Sequence, residues 1–386
     1  MAVAPFLPTN WEQDTVWILP DNLWAEGSFE TDMLLKEFPF EYVPQSKIVW
    51  DQYANMGGLM PTRALNAPPD VIVQPPLNVF ETYPGFYGLE SQLFEDEITL
   101  MREPNTVNEP LSVPDRLGVM MLNCSTLVLN RFYQTMGILA TSGYVQNFNA
   151  AGQAVHTYVV PNFQVFSPNG VAPLGPGWTA NAANATPISD LSYWQQYQLR
   201  PGTSAKFGAD STLMGNPKMA NVIWNTAQVQ STFRSDYAAT YKRGNVDSPK
   251  IKGDNSIEEL MLDAGLPALT LNDTGFYPTL DAALTQQASN WQYTIPDNTL
   301  TWIGKRPGNV PIGQMKLTKH AGINAYQADK FPTVKVENES YAELTKGIFV
   351  IAKYHDMMPQ HYTIQVGVNF APIIGYFRGI AGFQTG

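Results

Sequence analysis

Apolar positions recur at spacings of three and four from Leu117 through Met120, Met121, Cys124, Leu127, Val128, Phe132 and Met136 to Leu139, a helical stripe in the middle of the chain. Ser112 can cap its start, Pro114 falls in its first turn, and Asp115 stands three residues after the cap. Gly143 suits a left-handed stop. The pattern predicts a helix over 112–142, a rod of roughly 45 Å. Alternation then replaces the helical period: Tyr144 to Phe148, a turn at Asn149 to Gly152, and Gln153 to Val160 form a hairpin. Residues 167–187, rich in Pro, Gly, Ala and Asn, mark a boundary. Beyond it the pattern predicts a short helix from Thr186-Pro187 to Leu199, a strand at Asn221 to Trp224, and a helix capped by Asn225 and running to about Tyr237. A helix capped by Ser256 ends near Gly265, and strands follow at Leu269 to Leu271 and Thr299 to Ile303. Gly347 to Tyr354 and Tyr362 to Phe370 read as strands, ahead of an apolar, Gly-rich tail. Together these make an α+β chain built around sheet, with no internal repeat.

The first 110 residues differ from the rest. Thirteen of the 30 prolines fall there, so no long helix or central strand runs through the segment. Yet it carries Trp11, Trp17, Trp24 and Trp50 with many Phe, Tyr, Leu and Ile, the opposite of a composition that stays disordered. Two stretches alternate, around Lys47 to Tyr53 and Asp70 to Glu81, and predict a long irregular hairpin or extended loop; Pro84-Gly85-Phe86-Tyr87-Gly88 reads as a turn. The expectation is an arm and loop whose aromatics bury against sister molecules.

Charge sharpens that picture. Up to Pro110 there are 17 acidic and four basic residues, a net of −13, whereas the whole chain is −11, so the remainder carries +2. An acidic extension on a nearly neutral body suits docking onto another copy, with complementary potentials setting register and encounter rate. At 386 residues, 44% hydrophobic and 15% charged, the chain has material for two or three compact units and a surface partly hidden in an assembly. A pI near 4.8 and the absence of a Lys/Arg stripe argue against a general nucleic-acid binder. The single cysteine, Cys124, lies on the apolar face of the long helix and reads as a packing residue. The N-terminus lacks a basic segment followed by an apolar run, and no stretch is long and apolar enough to span a bilayer, so intracellular synthesis without a membrane partner is expected. The N-x-S/T triplets at Asn123, Asn184, Asn272 and Asn338 then read as chance matches.

Catalytic chemistry finds little support. His355-Asp356 with His361 is the tightest cluster of metal-type ligands, but H-E-x-x-H is absent, and a polar strand end is the simpler reading. Glu95-Asp96-Glu97 could be paired carboxylates or a calcium set; adjacent acids in an acidic segment read better as a solvated face. No G-x-S-x-G, Walker loop or dinucleotide fingerprint occurs. No catalytic residue, metal or cofactor is expected.

The order of parts, together with Ile295-Pro296-Asp297-Asn298-Thr299-Leu300-Thr301-Trp302-Ile303-Gly304, with Ala220-Asn221-Val222-Ile223-Trp224 followed by Phe233-Arg234-Ser235, and with the hairpin after the long helix, resembles the major capsid proteins of tailed bacteriophages of the Hong Kong 97-type fold, within them the lambda-like major capsid protein E family. The resemblance implies an N-terminal arm at 1–45, an extended loop at 46–95, and a peripheral domain at 96–175 built on a spine helix at 112–142. It further implies an axial domain at 176–332 and return strands of the peripheral domain at 333–386. Many copies would form hexamers and pentamers of an icosahedral shell around double-stranded DNA, bound without sequence specificity. The expected intersubunit contacts are Trp11, Trp17, Trp24, Trp50, Arg63, Glu81, Tyr83, Glu95, Asp96 and Glu97. Some members carry a charged helical pro-segment before the arm; this chain begins at the arm, so a separate scaffolding protein is the expected partner, with a portal and a decoration protein as further ones. The expected location is the virion, after assembly in the host cytoplasm. Two other classes remain open: a secreted β-rich hydrolase or carbohydrate-binding protein using exposed tryptophans, which would be a stable monomer, and a tail-tube or encapsulating nanocompartment subunit.

Overall fold

The computed structural model describes residues 15–17, 33–43, 47–53, 77–94, 96–97, 113–148, 153–161, 163–167, 177–199, 205–231, 255–278, 290–306, 308, 310–318, 348–355, 361–376 and 378–385. Strands are β1 (Thr15–Trp17), β2 (Phe40–Val43), β3 (Ile48–Tyr53), β4 (Leu77–Thr82), β5 (Gly85–Phe94), β6 (Tyr144–Phe148), β7 (Ala154–Val159), β8 (Gln164–Phe166), β9 (Thr212–Gly215), β10 (Leu269–Leu271), β11 (Gly275–Phe276), β12 (Gln292–Tyr293), β13 (Thr299–Ile303), β14 (Gly313–Thr318), β15 (Ile348–His355), β16 (His361–Ile374) and β17 (Ile380–Gln384). Helices are α1 (Met33–Glu37), α2 (Val113–Ser142), α3 (Pro187–Tyr193, continuing as a π-helical turn through Leu199), α4 (Pro217–Trp224) and α5 (Asn255–Asp263).

Helix α2 occupies the stretch its stripe predicts. Met120, Cys124, Val128, Phe132, Met136 and Leu139 are buried, and Gly143, at φ 69°, closes the helix with its N–H on Leu139 O at 2.8 Å. The C-terminal half of α2 passes close to β13 and β17 because the residues at the contact are small. A Cβ on Gly137 would overlap Thr294 O, a Cβ on Gly382 of β17 would overlap Thr141 O, and Thr301 Oγ1 donates to Ala140 O at 2.8 Å.

A six-stranded sheet runs β1-β15-β16-β14-β2, with β5 pairing along the other edge of β16 from Phe94↔His361 to Gly85↔Phe370. A five-stranded sheet runs β10-β9-β13-β17-β8 and covers an aromatic core. There Trp194 lies 4.6 Å from Phe383, Phe166 is 5.4 Å from Phe383, and Trp302 is 5.9 Å from it. Two of the buried indoles keep hydrogen-bond partners: Trp302 Nε1 donates to Ser211 Oγ and Trp178 Nε1 to the carboxylate of Asp190, both at 2.7 Å.

Several expectations are corrected. Asn221 to Trp224 is helix, not strand: Asn216 Oδ1 accepts from the N–H of Met219 at 3.1 Å and Pro217 sits in the first turn, so capping chemistry overrides the β-prone Val222-Ile223-Trp224. Asn225 is the C-cap of that helix, and the next helical turn begins after Thr226, whose carbonyl accepts from Gln230. Pro84 to Gly88 is no turn, because Gly85 to Gly88 open β5, where Gly85 leaves room for the Tyr158 and Tyr87 hydroxyls. The tail is also structured: β17 pairs antiparallel with β13, so 380–384 joins the five-stranded sheet, as does β8, while β14 joins the six-stranded one. Sheet membership thus cuts across the expected limits at 175 and 332.

The leading segment is not wholly turned toward sister molecules. Leu34 and Phe38 are fully buried, Phe40 packs edge-on against Phe132 of α2 at 5.3 Å, and β2 runs parallel to β14. With β5 added, residues 33–43 and 85–94 are part of this chain's own body.

Candidate assembly surfaces

Strands β3 and β4 form an antiparallel ladder from Ile48↔Thr82 to Tyr53↔Leu77, as the alternation predicts; the segment that joins them, 54–76, lies outside the described residues. One face turns inward: Ile48 is buried, and Trp50 stacks on Phe80 at 5.8 Å. Trp50 Nε1 is buried with no hydrogen-bond partner among the described residues. The other face presents Val49, Val79 and Tyr83, all exposed, and carries the ion pair of Lys47 with Glu81, which raises the Lys47 ammonium above its ordinary value.

The root of this hairpin leads straight into β5 and a polar cluster fixes it there. Tyr87 stacks on Phe370 at 4.8 Å, its hydroxyl accepts from Asn147 Nδ2 at 2.7 Å, and the Arg131 guanidinium of α2 lies 5.3 Å from its ring centre. Arg131 also donates to Gln134 Oε1 at 2.8 Å. Tyr158 of β7 donates to Phe370 O at 2.9 Å. Burial raises both the Tyr87 and the Tyr158 phenols above their ordinary value, so both act as neutral hydrogen-bonding groups. Local sequence gives no sign of the cluster: Tyr87, Asn147 and Phe370 are brought together only by the fold.

The β6–β7 hairpin, in the expected place, offers a second surface. Val145 and Tyr158 face inward and are buried, while Tyr144, Phe148, Val155 and Val159 are exposed. An outward apolar set of this kind is a feature of surfaces that meet partners. The signal was in the sequence, as apolar residues on both faces of a two-stranded ribbon.

The Ile295–Gly304 motif has a mechanical role. Asn298 sits at φ 58°, a turn conformation that asparagine tolerates, and Thr299 Oγ1 donates to Pro296 O at 2.7 Å. Asp297 accepts from Asn216 Nδ2 at 2.7 Å and pairs with Lys218 at 2.6 Å, tying the turn to the start of α4. Asn298 O accepts from both Thr385 N and Thr385 Oγ1, at 2.9 and 3.0 Å, and so clamps the end of β17.

Of the expected contact residues, Trp11, Trp24, Arg63 and Glu95 lie outside the described residues. The backbone of Trp17 pairs with Val350 of β15. Trp50 packs on its own chain as described, Glu81 and Tyr83 are on the outer side of the hairpin, Asp96 is exposed, and Glu97 accepts from Phe94 N–H at 3.4 Å. His355 and His361 are directly opposed in the β15–β16 ladder, the His361 ring lies 5.6 Å from that of Phe94, and no metal-type cluster occurs among the described residues. Cys124 is buried, which pushes its thiol up and away from reactivity. No described helix is long and apolar enough to cross a membrane.

No protein-family model and no curated protein matches the chain. Among solved structures it is similar over 96% of its length to all of a prophage protein of E. coli CFT073 provisionally described as a capsid protein, at 11% identity and a TM-score of 0.51. A phage-related protein of Bordetella bronchiseptica RB50 gives 10% identity, 96% coverage of this chain and 98% of the other, and a TM-score of 0.50. The chain has a Hong Kong 97-type capsid fold. The β3–β4 hairpin and β5 precede the long helix α2 in the chain.

Proposed function

We propose that this chain is a structural subunit, the major capsid protein of a tailed phage, and that many copies close into an icosahedral shell around packaged double-stranded DNA. The observation that carries the reading is the end-to-end likeness to the prophage capsid-type protein, over 96% of this chain and all of that one. The exposed apolar faces of β3–β4 and β6–β7 support it, because each is surface that a neighbouring copy can cover. The acidic leading segment supplies the charge contrast with the +2 body.

In this reading the arm is shorter than 1–45, because 15–17 pairs with β15 and 33–43 belongs to the body; residues 1–14 and the segment 54–76 that joins β3 to β4 reach across neighbours. The spine helix and the six-stranded sheet serve as the peripheral domain and the five-stranded sheet as the axial one. Trp11, Trp17, Trp24, Arg63, Glu81, Tyr83, Glu95, Asp96 and Glu97 are proposed intersubunit contacts, and a scaffolding protein, a portal and a decoration protein are proposed partners. The shell has no catalytic site or cofactor, and its place is the virion, after assembly in the host cytoplasm. Light scattering and negative-stain microscopy of the purified chain, alone and co-expressed with the candidate scaffold, test this: rings or closed particles are expected, and a monomer under every condition would overturn it.

A further inference from the structure

The start of β5 is held from outside the sheet by one imidazole. Strand β5 pairs with β16 on one side and with no other described strand on the other, so its N–H groups alternate between the ladder and the open edge. On that edge the N–H of Phe86 donates to Nε2 of His156, on β7, at 3.1 Å. The imidazole lies between two rings of the same strand, with Phe86 at 5.7 Å and Tyr87 at 6.0 Å between centres. A nitrogen that accepts here must be unprotonated. This bond joins the β6–β7 hairpin to the point at which the chain, having left β4 at Thr82, re-enters the body through Tyr83-Pro84-Gly85. No sequence motif marks it, as the two residues are 70 positions apart.

We propose that His156 is a pH-operated latch on the root of the β3–β4 hairpin. The neutral ring holds Phe86 and fixes the angle at which the hairpin leaves the body; protonation of Nε2 replaces the acceptor by a second N–H facing the Phe86 N–H, and the first residues of β5 come away. The proton comes from solvent, since the imidazole is only half-buried. The titratable group that faces it is Tyr87 from β5, its ladder neighbour is Asn147 of β6, and no carboxylate among the described residues bonds to it to stabilise an imidazolium. Partial burial acts in the same direction, lowering its titration below the usual histidine value. The latch does not depend on what the copies assemble into.

Hydrogen exchange read by mass spectrometry on the full chain, over the peptide that contains Phe86, tests this at pH 7.5 and pH 5.0 after correction for intrinsic exchange. Wild type is expected to lose roughly tenfold in protection at the lower pH, the worth of about one hydrogen bond. His156→Gln, whose amide oxygen accepts at any pH, should hold the higher protection at both values, and His156→Ala should be open at both. Equal protection of wild type at both pH values, or a His156→Gln protein that opens with acid as wild type does, would overturn the latch. Should a variant fail to fold, the titration of His156 in wild type, followed by NMR among only four histidines, decides alone: an imidazole titrating at or above 6.5 contradicts the proposal.

Discussion

Replacing Phe38 by alanine separates burial within one chain from burial between copies. Phe38 is fully buried beside Leu34, and its ring fills the space where a Cβ on Gly313 would lie, 2.8 Å from ring carbon. A Phe→Ala change at such a site costs about 3–5 kcal/mol, the lost transfer energy plus the cavity left behind. For a domain of this size each kcal/mol moves the melting temperature by about 2–4 °C, so the dilute, unassembled chain should melt on the order of 10 °C lower. The exposed Val79→Ala is the control and should leave the melt unchanged. Truncations extend the test: removal of residues 1–14 should leave the melt close to that of the full chain, whereas removal of 1–45 takes β1, Leu34, Phe38 and β2 together and should prevent folding of the body. A Phe38→Ala melt within about 2 °C of wild type would refute the reasoning, because it would place that ring outside the folded body of the isolated chain.

Three further outcomes follow from named contacts. Asp297→Ala should cost about 1–3 kcal/mol, because it leaves the buried Asn216 amide short of an acceptor, while Lys218→Ala, which removes only an exposed ion pair, should cost under about 1 kcal/mol; equal losses in urea unfolding would contradict this division. Burial raises the Asp190 carboxyl, so wild-type stability should fall as pH climbs from its ordinary value of 3.8 through the raised one, and Asp190→Asn should flatten that part of the profile. High salt should slow early assembly, since a −13 segment must meet a +2 body, and salt-independent light-scattering kinetics would count against electrostatic docking.

Where local pattern and tertiary demand agree, the chain could be read directly. The stripe from Leu117 to Leu139 with a glycine stop specifies α2, and alternation on either side of a Gly-containing turn specifies β6–β7. Helix α5 with its left-handed Gly265, and strands β10 and β13, were equally plain. Misreadings arose where two local signals compete. At α4, Val222-Ile223-Trp224 look like strand, and the Asn216-Pro217 start decides otherwise. At β5, Pro84-Gly85 look like a turn, yet Gly85 is glycine because two tyrosine hydroxyls occupy the space beside it. Long-range pairing is invisible to local pattern: 380–384 reads as an apolar, Gly-rich tail until β13 is beside it, and no local signal marks β14. The same limit hid the self-burial of Leu34 and Phe38, whose partners lie far along the chain, and the contact of His156 with Phe86. The acidic, proline-rich composition of the leading third correctly marks a special segment but does not say where its edge lies; the core contacts place 33–43 inside the body.

Cryo-electron microscopy of particles formed by the full chain, at a resolution that traces β3 and β4, tests the central claim most directly. Overlap of copies predicts a closed shell in which the segment 54–76 at the far end of each β3–β4 hairpin lies across the adjacent copy, with Val79 and Tyr83 covered by it. A particle in which every 54–76 segment stays on its own subunit, or a preparation that holds only separate subunits, would contradict it.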